Sequence, residues 1–197
     1  MKTSPSLKKV YIIPGRGGHA DSFWYPWLIK SLEKADFTVT FMKMPNPDEP
    51  KKADWMSALM PLIPEMDTNT CLIGHSVGCQ AALRFLSNLP SGSKISGVVL
   101  VAGWVSVPNW QGRSEKEKAV LTDWMNPPID FSNVTGRADK FTAIFSDDDQ
   151  FVPRENWAAC EQYLNAGVII KHNFGHFESE GLLQLPEVVD AIISMSK

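Results

Sequence analysis

The sequence predicts an α/β fold with a mostly parallel sheet and helices on both faces. Two observations predict it: short apolar or β-branched runs alternate six times with helical patterns, and the run at 98–102 is apolar throughout. Alternating strands and helices favour a parallel sheet, and a continuous apolar run is typical of a strand covered on both sides. No composition break divides the 197 residues, so we expect a single domain over 1–197.

The elements follow from hydrophobic periodicity and from turn residues. Strands are predicted over residues 9–13, 37–42, 70–73, 95–102, 141–146 and 168–172. Helices are predicted over residues 23–34, 53–66, 77–89, 114–124, 156–164 and 183–195. Pro61 and Pro64 predict that the second helix is bent or broken. Residues 104–130 interrupt the alternation with an irregular aromatic stretch and one charged helix, so we expect a minimal cap there.

Composition excludes several classes of protein. A hydrophobic content of 44%, a charged content of 21% and a net charge of -3 describe a globular chain without the basic surface that nucleic acid or an anionic membrane requires. Residues 1–10 lack the apolar core of a secretory signal peptide. The three cysteines are odd in number and show no Cys-x-x-Cys spacing, which argues against disulfides and structural zinc. A cytoplasmic protein is expected.

Ser76 stands in the spacing Gly74-x-Ser76-x-Gly78, between the third strand and the third helix. Such a turn holds a serine in a strained conformation that exposes its hydroxyl, and the glycines remove Cβ atoms that would collide there. Ser76 is therefore a candidate nucleophile, which would need a base within hydrogen-bond reach. An ordinary strand-turn-helix with a polar turn residue is the alternative.

Four of the predicted strands are followed by a loop that could serve a binding or catalytic site. These loops contain the glycine-rich stretch 15–18, Ser76, the aspartates at 147–149, and His176. Carboxyl ends of parallel strands share one edge, where α/β proteins bind ligands. The chain order Ser, Asp, His is the order of α/β-hydrolases. His176 is the preferred base, since His75 is adjacent to the serine, His172 is predicted within a strand and His19 precedes the serine.

The sequence also allows other roles for the aspartates and for the glycine-rich loop. Any of the three aspartates could orient His176, while Asp147 or Asp148 could instead cap the next helix or face solvent. A metal site is not favoured, because no second carboxylate or histidine cluster is spaced to complete it. The glycine-rich loop lacks the third glycine and the acidic residue of a dinucleotide site, so neither a metal nor another cofactor is expected.

Three stretches carry a resemblance to a known family: Gly74-His75-Ser76-Val77-Gly78, residues 146–153 and Gly175-His176-Phe177. They resemble the compact α/β-hydrolases of the small serine-hydrolase family, which includes retinoblastoma-binding protein nine. The resemblance implies a six-stranded parallel sheet ordered 2-1-3-4-5-6 and places the triad acid at Asp149. It also implies that the backbone N–H groups of Arg16 and Val77 form the oxyanion hole. No Leu-x-Cys-x-Glu sequence surrounds a cysteine, so retinoblastoma binding is not carried over.

The function predicted from the sequence is a cofactor-free serine hydrolase of small esters, thioesters or amides. Its partner would be a small-molecule substrate, with nucleic acid and membrane excluded and no protein partner specified. Trp24 and Trp104 are candidates for an aromatic substrate pocket, although each could equally belong to the core. The alternative is a binding or regulatory protein that keeps the hydrolase fold with a vestigial triad.

Overall fold

The structure, a computed structural model, describes residues 7–105 and 110–196. Its strands are β1 Lys8–Ile13, β2 Phe37–Phe41, β3 Thr70–His75, β4 Ile95–Val101, β5 Ala138–Ser146 and β6 Gly167–Lys171. They form one sheet in the order β2-β1-β3-β4-β5-β6, in which all five strand pairs are parallel. The predicted architecture is confirmed, with the strand order that the resemblance implies.

The helices are α1 Tyr25–Lys34, α2 Lys52–Leu59, α3 Val77–Ser87, α4 Glu115–Met125, α5 Phe131–Thr135, α6 Glu155–Leu164 and α7 Pro186–Met195. A 3₁₀ helix, Met60–Glu65, follows α2. The predicted break in the second helix is confirmed, because Pro61 and Pro64 cannot donate backbone hydrogen bonds there. None of the helices in the described parts of the chain combines the length and apolarity needed to cross a membrane.

The core lies between the sheet and two helix layers. Helices α1 and α7 pack together, while α2, α3, α5 and α6 contact one another in a second row. Every residue of β3 and β4 is buried, as their apolar sequences predict. The sheet therefore holds the carboxyl end of β3, where Ser76 follows, near the centre of the molecule.

Apart from shifts of one to three residues at element boundaries, two elements differ from the prediction. Helix α5 was not expected; the Asp130 side chain caps it by accepting hydrogen bonds from the backbone N–H groups of Ser132 and Asn133. Strand β6 ends at Lys171, so His172 lies in the loop that follows rather than within the strand. The prediction that placed His172 in a strand is therefore wrong. That placement was the reason given for excluding His172 as the base.

The segment predicted as a cap contains α4. Ser114 and Glu117 form a capping box at its start, each side chain bonding the other's backbone N–H. Near its end, the Trp124 indole N–H donates to the Pro50 carbonyl at 2.8 Å, and its ring packs edge-on against Trp55. These contacts seat α4 over the loop that follows β2. Residues 106–109 of the predicted cap lie outside the described residues.

Candidate active site

Ser76 occupies a sharp turn between β3 and α3. Its φ of 51° and ψ of -119° lie outside the regions that L-residues favour. Gly78 permits this turn, since a Cβ there would lie 2.3 Å from the Ile13 carbonyl oxygen. The Ser76 N–H donates to the Val101 carbonyl at 2.9 Å, which fixes the turn to β4. The turn therefore has the backbone of a nucleophile elbow.

Three predicted residues from three different loops are in hydrogen-bond contact. His176 Nε2 lies 2.8 Å from Ser76 Oγ, and His176 Nδ1 lies 2.8 Å from Asp149 Oδ2. The side chains of His176 and Asp149 are 9% and 2% exposed, so water scarcely competes for these bonds. With Nδ1–H donating to the carboxylate, Nε2 is free to accept the serine proton. This is the arrangement that activates a serine in acyl transfer.

Asp149 is held in place by the backbone of its own loop. Its Oδ1 accepts hydrogen bonds from the N–H groups of Phe151 at 2.7 Å and Val152 at 3.1 Å. Both oxygens of the carboxylate are thus used, one by the backbone and one by His176. A carboxylate bonded in this way is kept in the orientation that the imidazole requires.

The other two aspartates fix the loop that carries His176. Asp147 bonds the His172 ring and accepts from the Asn173 N–H, and the His172 bond is the main cause that lowers its pKa. Asp148 accepts from the Ser146 hydroxyl and from the Gly175 N–H, and the Ser146 bond chiefly lowers its pKa. Neither caps helix α6. The three consecutive aspartates thus divide between His176 itself and residues 172–175 of the loop that precedes it.

Arg16 and Val77 are the residues expected to supply the oxyanion hole: Val77 follows Ser76 in the chain, and Arg16 lies in the loop after β1. A Cβ on Gly15 would lie 3.4 Å from the Ser76 Cβ, so the loop after β1 passes directly alongside the serine. Among the hydrogen bonds of the described residues, neither the Arg16 N–H nor the Val77 N–H donates to another protein group. Two uncommitted donors next to a candidate nucleophile are what an oxyanion hole requires.

A cavity of about 310 Å³ opens in front of Ser76 and His176. Trp104, Val120 and Leu121 give it apolar surface, and the cap helix α4 supplies the last two of these. Trp104 thus lines the cavity beside Ser76. Trp24 does not: it is fully buried and is absent from the cavity wall. Its indole N–H donates to the Phe177 carbonyl at 3.1 Å, so the predicted pocket residue instead supports the His176 loop from within the core.

Charged side chains face the same cavity. Glu117 bonds the guanidinium of Arg16 and lies 3.5 Å from that of Arg113. Hydrogen bonds from Ser114 are the main cause that lowers the pKa of Glu117 to about 2. Glu178 lies 4.0 Å from His176 Nε2, and burial raises its pKa above the ordinary value. The cavity therefore combines an apolar wall with charges of both signs.

One group in the described chain has the composition of a metal site. Nitrogens of His75 and His176 and an oxygen of Glu178 all lie within 4.8 Å of one another. All four imidazole nitrogens already have hydrogen-bond partners: the Tyr25 hydroxyl and the His176 carbonyl for His75, and Asp149 and Ser76 Oγ for His176. A cation would have to displace a hydrogen bond from each ring, so the group fits the serine arrangement better than a metal centre.

His75 has contacts that the sequence did not reveal. It is 1% exposed; its Nδ1 lies 2.8 Å from the Tyr25 hydroxyl and its Nε2 3.0 Å from the His176 carbonyl oxygen. Burial, and then the neighbouring His176, lowers its pKa to about 3. His75 is therefore a neutral residue that contacts the loop of the candidate base.

Comparison with known proteins gives full-length relatives. The chain is 33% identical over 189 residues to YdeN of Bacillus subtilis (strain 168), a match that covers 95% of each chain. It is 26% identical to the serine hydrolase RBBP9 of Rattus norvegicus, covering 96% of this chain and 97% of that protein.

Solved structures show the same fold. The crystal structure of the B. subtilis ydeN gene product superposes with a TM-score of 0.86 at 32% identity, covering 96% of this chain and 98% of that one. Est1E of Butyrivibrio proteoclasticus, solved with ferulic acid bound, shares the fold at a TM-score of 0.69 and 14% identity, with 95% and 87% covered. Residues 10–194 match the family described as serine hydrolase. The chain belongs to this serine hydrolase family.

Proposed function

We propose that the protein hydrolyses small esters, thioesters or amides through an acyl-enzyme on Ser76. The observation that carries the proposal is the pair of 2.8 Å contacts that link Ser76, His176 and Asp149. Membership of the serine hydrolase family supports the same chemistry. The side chains proposed for the reaction all belong to this chain.

The first half of the proposed reaction forms the acyl-enzyme. His176 Nε2 takes the proton of Ser76 Oγ as that oxygen bonds to the substrate carbonyl carbon. The carbonyl oxygen becomes an oxyanion, which the N–H groups of Arg16 and Val77 stabilise. Asp149 stabilises the imidazolium, which then gives its proton to the leaving group as the bond between carbonyl carbon and leaving group breaks.

The second half releases the acid. A water molecule gives a proton to His176 Nε2 and bonds to the acyl carbon, forming a second oxyanion at the same two amides. When this intermediate collapses, the bond to Ser76 Oγ breaks and His176 returns the proton to the serine. The products are the free acid and the starting enzyme, so protons balance over the cycle.

A fluorophosphonate probe tests the proposal, because it phosphonylates only an activated serine. We expect the wild-type protein to be labelled and Ser76→Ala to be unlabelled. Ser87→Ala is the matched control, since this serine lies at the end of α3 and its hydroxyl donates to the Arg84 carbonyl of the same helix. An unlabelled but folded wild type would instead favour the binding or regulatory alternative with a vestigial triad.

The size of the cavity predicts the acyl groups that react best. A volume of about 310 Å³ lies at the lower end for ligand sites, so short acyl chains should be preferred. In a series of p-nitrophenyl esters of graded length, with aminoacyl esters and thioesters beside them, we expect kcat/KM to peak at about two to four acyl carbons. Trp104→Ala should move the peak to longer chains. A peak that does not move would place Trp104 outside the acyl subsite.

A further inference from the structure

A continuous chain of hydrogen bonds runs behind Ser76, inside the protein. The Gly15 N–H donates to the Tyr25 hydroxyl oxygen at 3.3 Å, and that hydroxyl lies 2.8 Å from His75 Nδ1. On its other side, His75 Nε2 lies 3.0 Å from the carbonyl oxygen of His176. The chain thus begins one residue before Arg16 and ends on the backbone of the candidate base.

Only one placement of protons satisfies every member of this chain. The His176 carbonyl can only accept, so His75 Nε2 carries the hydrogen and Nδ1 is bare. Nδ1 must then accept the Tyr25 O–H, and the tyrosine oxygen accepts the Gly15 N–H. A second proton on His75 would put a donor at Nδ1 and leave the buried Tyr25 hydroxyl without that acceptor, which is costly. The histidine is therefore held neutral, in a single tautomer.

The two ends of the chain belong to different loops of the site. Gly15 lies in the loop after β1, whose Arg16 N–H is the proposed oxyanion donor. His176 lies in the loop after β6, and the next residue, Phe177, is held by Trp24 in a parallel contact at 3.1 Å. Trp24 and Tyr25 stand at the start of α1, so one helix end reaches both the oxyanion loop and the base loop.

Burial keeps these contacts from being replaced by water. Trp24 and Tyr25 are 0% exposed, and His75 is 1% exposed. Their rings pack against one another, with the His75 ring edge-on to Trp24 at 5.7 Å and to Tyr25 at 6.0 Å. His75 also lies beside the His176 ring, with 5.6 Å between centroids. The cluster is buried on the core side of the site, and none of its three residues lines the cavity.

We propose that His75 is a positioning residue, which sets the imidazole of His176 against the oxyanion donor at Arg16 by joining the two loops through Tyr25. The proposal rests on the proposed serine hydrolase function. His75 touches neither the substrate nor the reacting atoms; it acts through the carbonyl of His176 and the amide of Gly15. Misplacing a reacting group by about 1 Å can slow a reaction about 100-fold, so the role predicts a loss of rate rather than of binding.

His75→Leu and Tyr25→Phe test the proposal. The first removes the donor to His176, and the second removes one oxygen atom from the middle of the chain. We expect His75→Leu to lower kcat about 10- to 100-fold with KM changed by less than about threefold. Tyr25→Phe should act in the same direction by about 3- to 10-fold. His75→Gln, which can return an N–H near the position of Nε2, should recover much of the loss.

A boronic acid that mimics the tetrahedral intermediate separates positioning from general damage. Its affinity should fall in parallel with kcat in His75→Leu, whereas the affinity of the acid product should stay near that of wild type. Tyr163→Phe is the matched control for Tyr25→Phe, because Tyr163 is exposed and stacks on Phe131 away from the site. Thermal unfolding and active-site titration correct each rate for the folded fraction.

The outcomes distinguish this proposal from the proposed function. A wild type that neither turns over esters nor reacts with the fluorophosphonate refutes the function, and the positioning role with it. A reactive wild type with an equally reactive, folded His75→Leu refutes only the positioning role. A His75→Leu protein that loses affinity for substrate, product and boronic acid alike also refutes it, because the damage would then be general.

Discussion

Asp149→Asn should lower kcat by about 10⁴-fold while the protein stays folded and still binds substrate. The asparagine Oδ1 can keep the hydrogen bonds from the Phe151 and Val152 N–H groups, so the loop is retained. Its amide nitrogen then replaces Oδ2 and presents a donor to His176 Nδ1. The imidazole must then adopt the tautomer that carries its hydrogen on Nε2. In that form it cannot accept the proton of Ser76.

Asp148→Asn is the matched control, since it makes the same chemical change one residue away. Asp148 uses a single oxygen to accept from the Ser146 hydroxyl and the Gly175 N–H, and an asparagine oxygen can accept both. We expect its kcat to stay within about tenfold of wild type. Steady-state kinetics on the best p-nitrophenyl ester compares the two variants. A severe loss in Asp148→Asn with a mild one in Asp149→Asn would mean that the acid has been assigned to the wrong residue.

Acidification should destabilise the protein through His75. An unfolded histidine binds a proton with a pKa near 6.5, whereas burial lowers the pKa of His75 to about 3. As the pH falls, the unfolded state therefore binds a proton at this histidine that the folded state does not bind. The contribution of neutral His75 to the free energy of unfolding, present in full above pH 6.5, is lost as the pH falls below that value. Linkage gives about 2 kcal/mol lost between pH 7 and pH 5, and about 4 kcal/mol by pH 3.

Urea unfolding at pH 7 and pH 5, in wild type and in His75→Gln, measures this contribution. The variant has no group to titrate at this position, so it should lose about 2 kcal/mol less than wild type over the interval. The carboxylates with lowered pKa, Asp147 and Asp148, titrate below this range and do not obscure the difference. Equal losses in the two proteins would show that residue 75 accepts a proton in the folded state.

Hydrophobic patterning predicted a parallel sheet. From that sheet we predicted which residues lie at the same edge. Ser76, Asp149 and His176 are separated by up to 100 residues, but each follows a strand of a parallel sheet. The carboxyl ends of such strands share one edge, so all three residues lie along that edge. Strands β4 and β5 separate β3 from β6, and the loop after β6 brings His176 back to Ser76. The choice of Asp149 among three aspartates came from the family resemblance, and the 2.8 Å contact with His176 agrees with it.

The sequence was less informative about where side chains point. Trp24 was predicted to line the pocket because it follows the glycine-rich loop, but it turns into the core and supports the His176 loop. The signal that could have indicated this is Pro26, which fixes the start of α1 and so places Trp24 and Tyr25 in the first turn of a helix that packs against the sheet. His75 alternates with Gly74 along β3, but only a folded structure shows that its ring meets Tyr25.

The side chain and the backbone N–H of Arg16 have separate proposed roles. Its guanidinium bonds the Asp48 carbonyl and Glu117 at the wall of the cavity, while its backbone N–H belongs to the loop that passes alongside Ser76. A protein engineer can therefore vary this side chain to alter selectivity without removing the proposed donor that every substrate would share. Position 16 is thus a natural starting point for directed evolution towards new substrates.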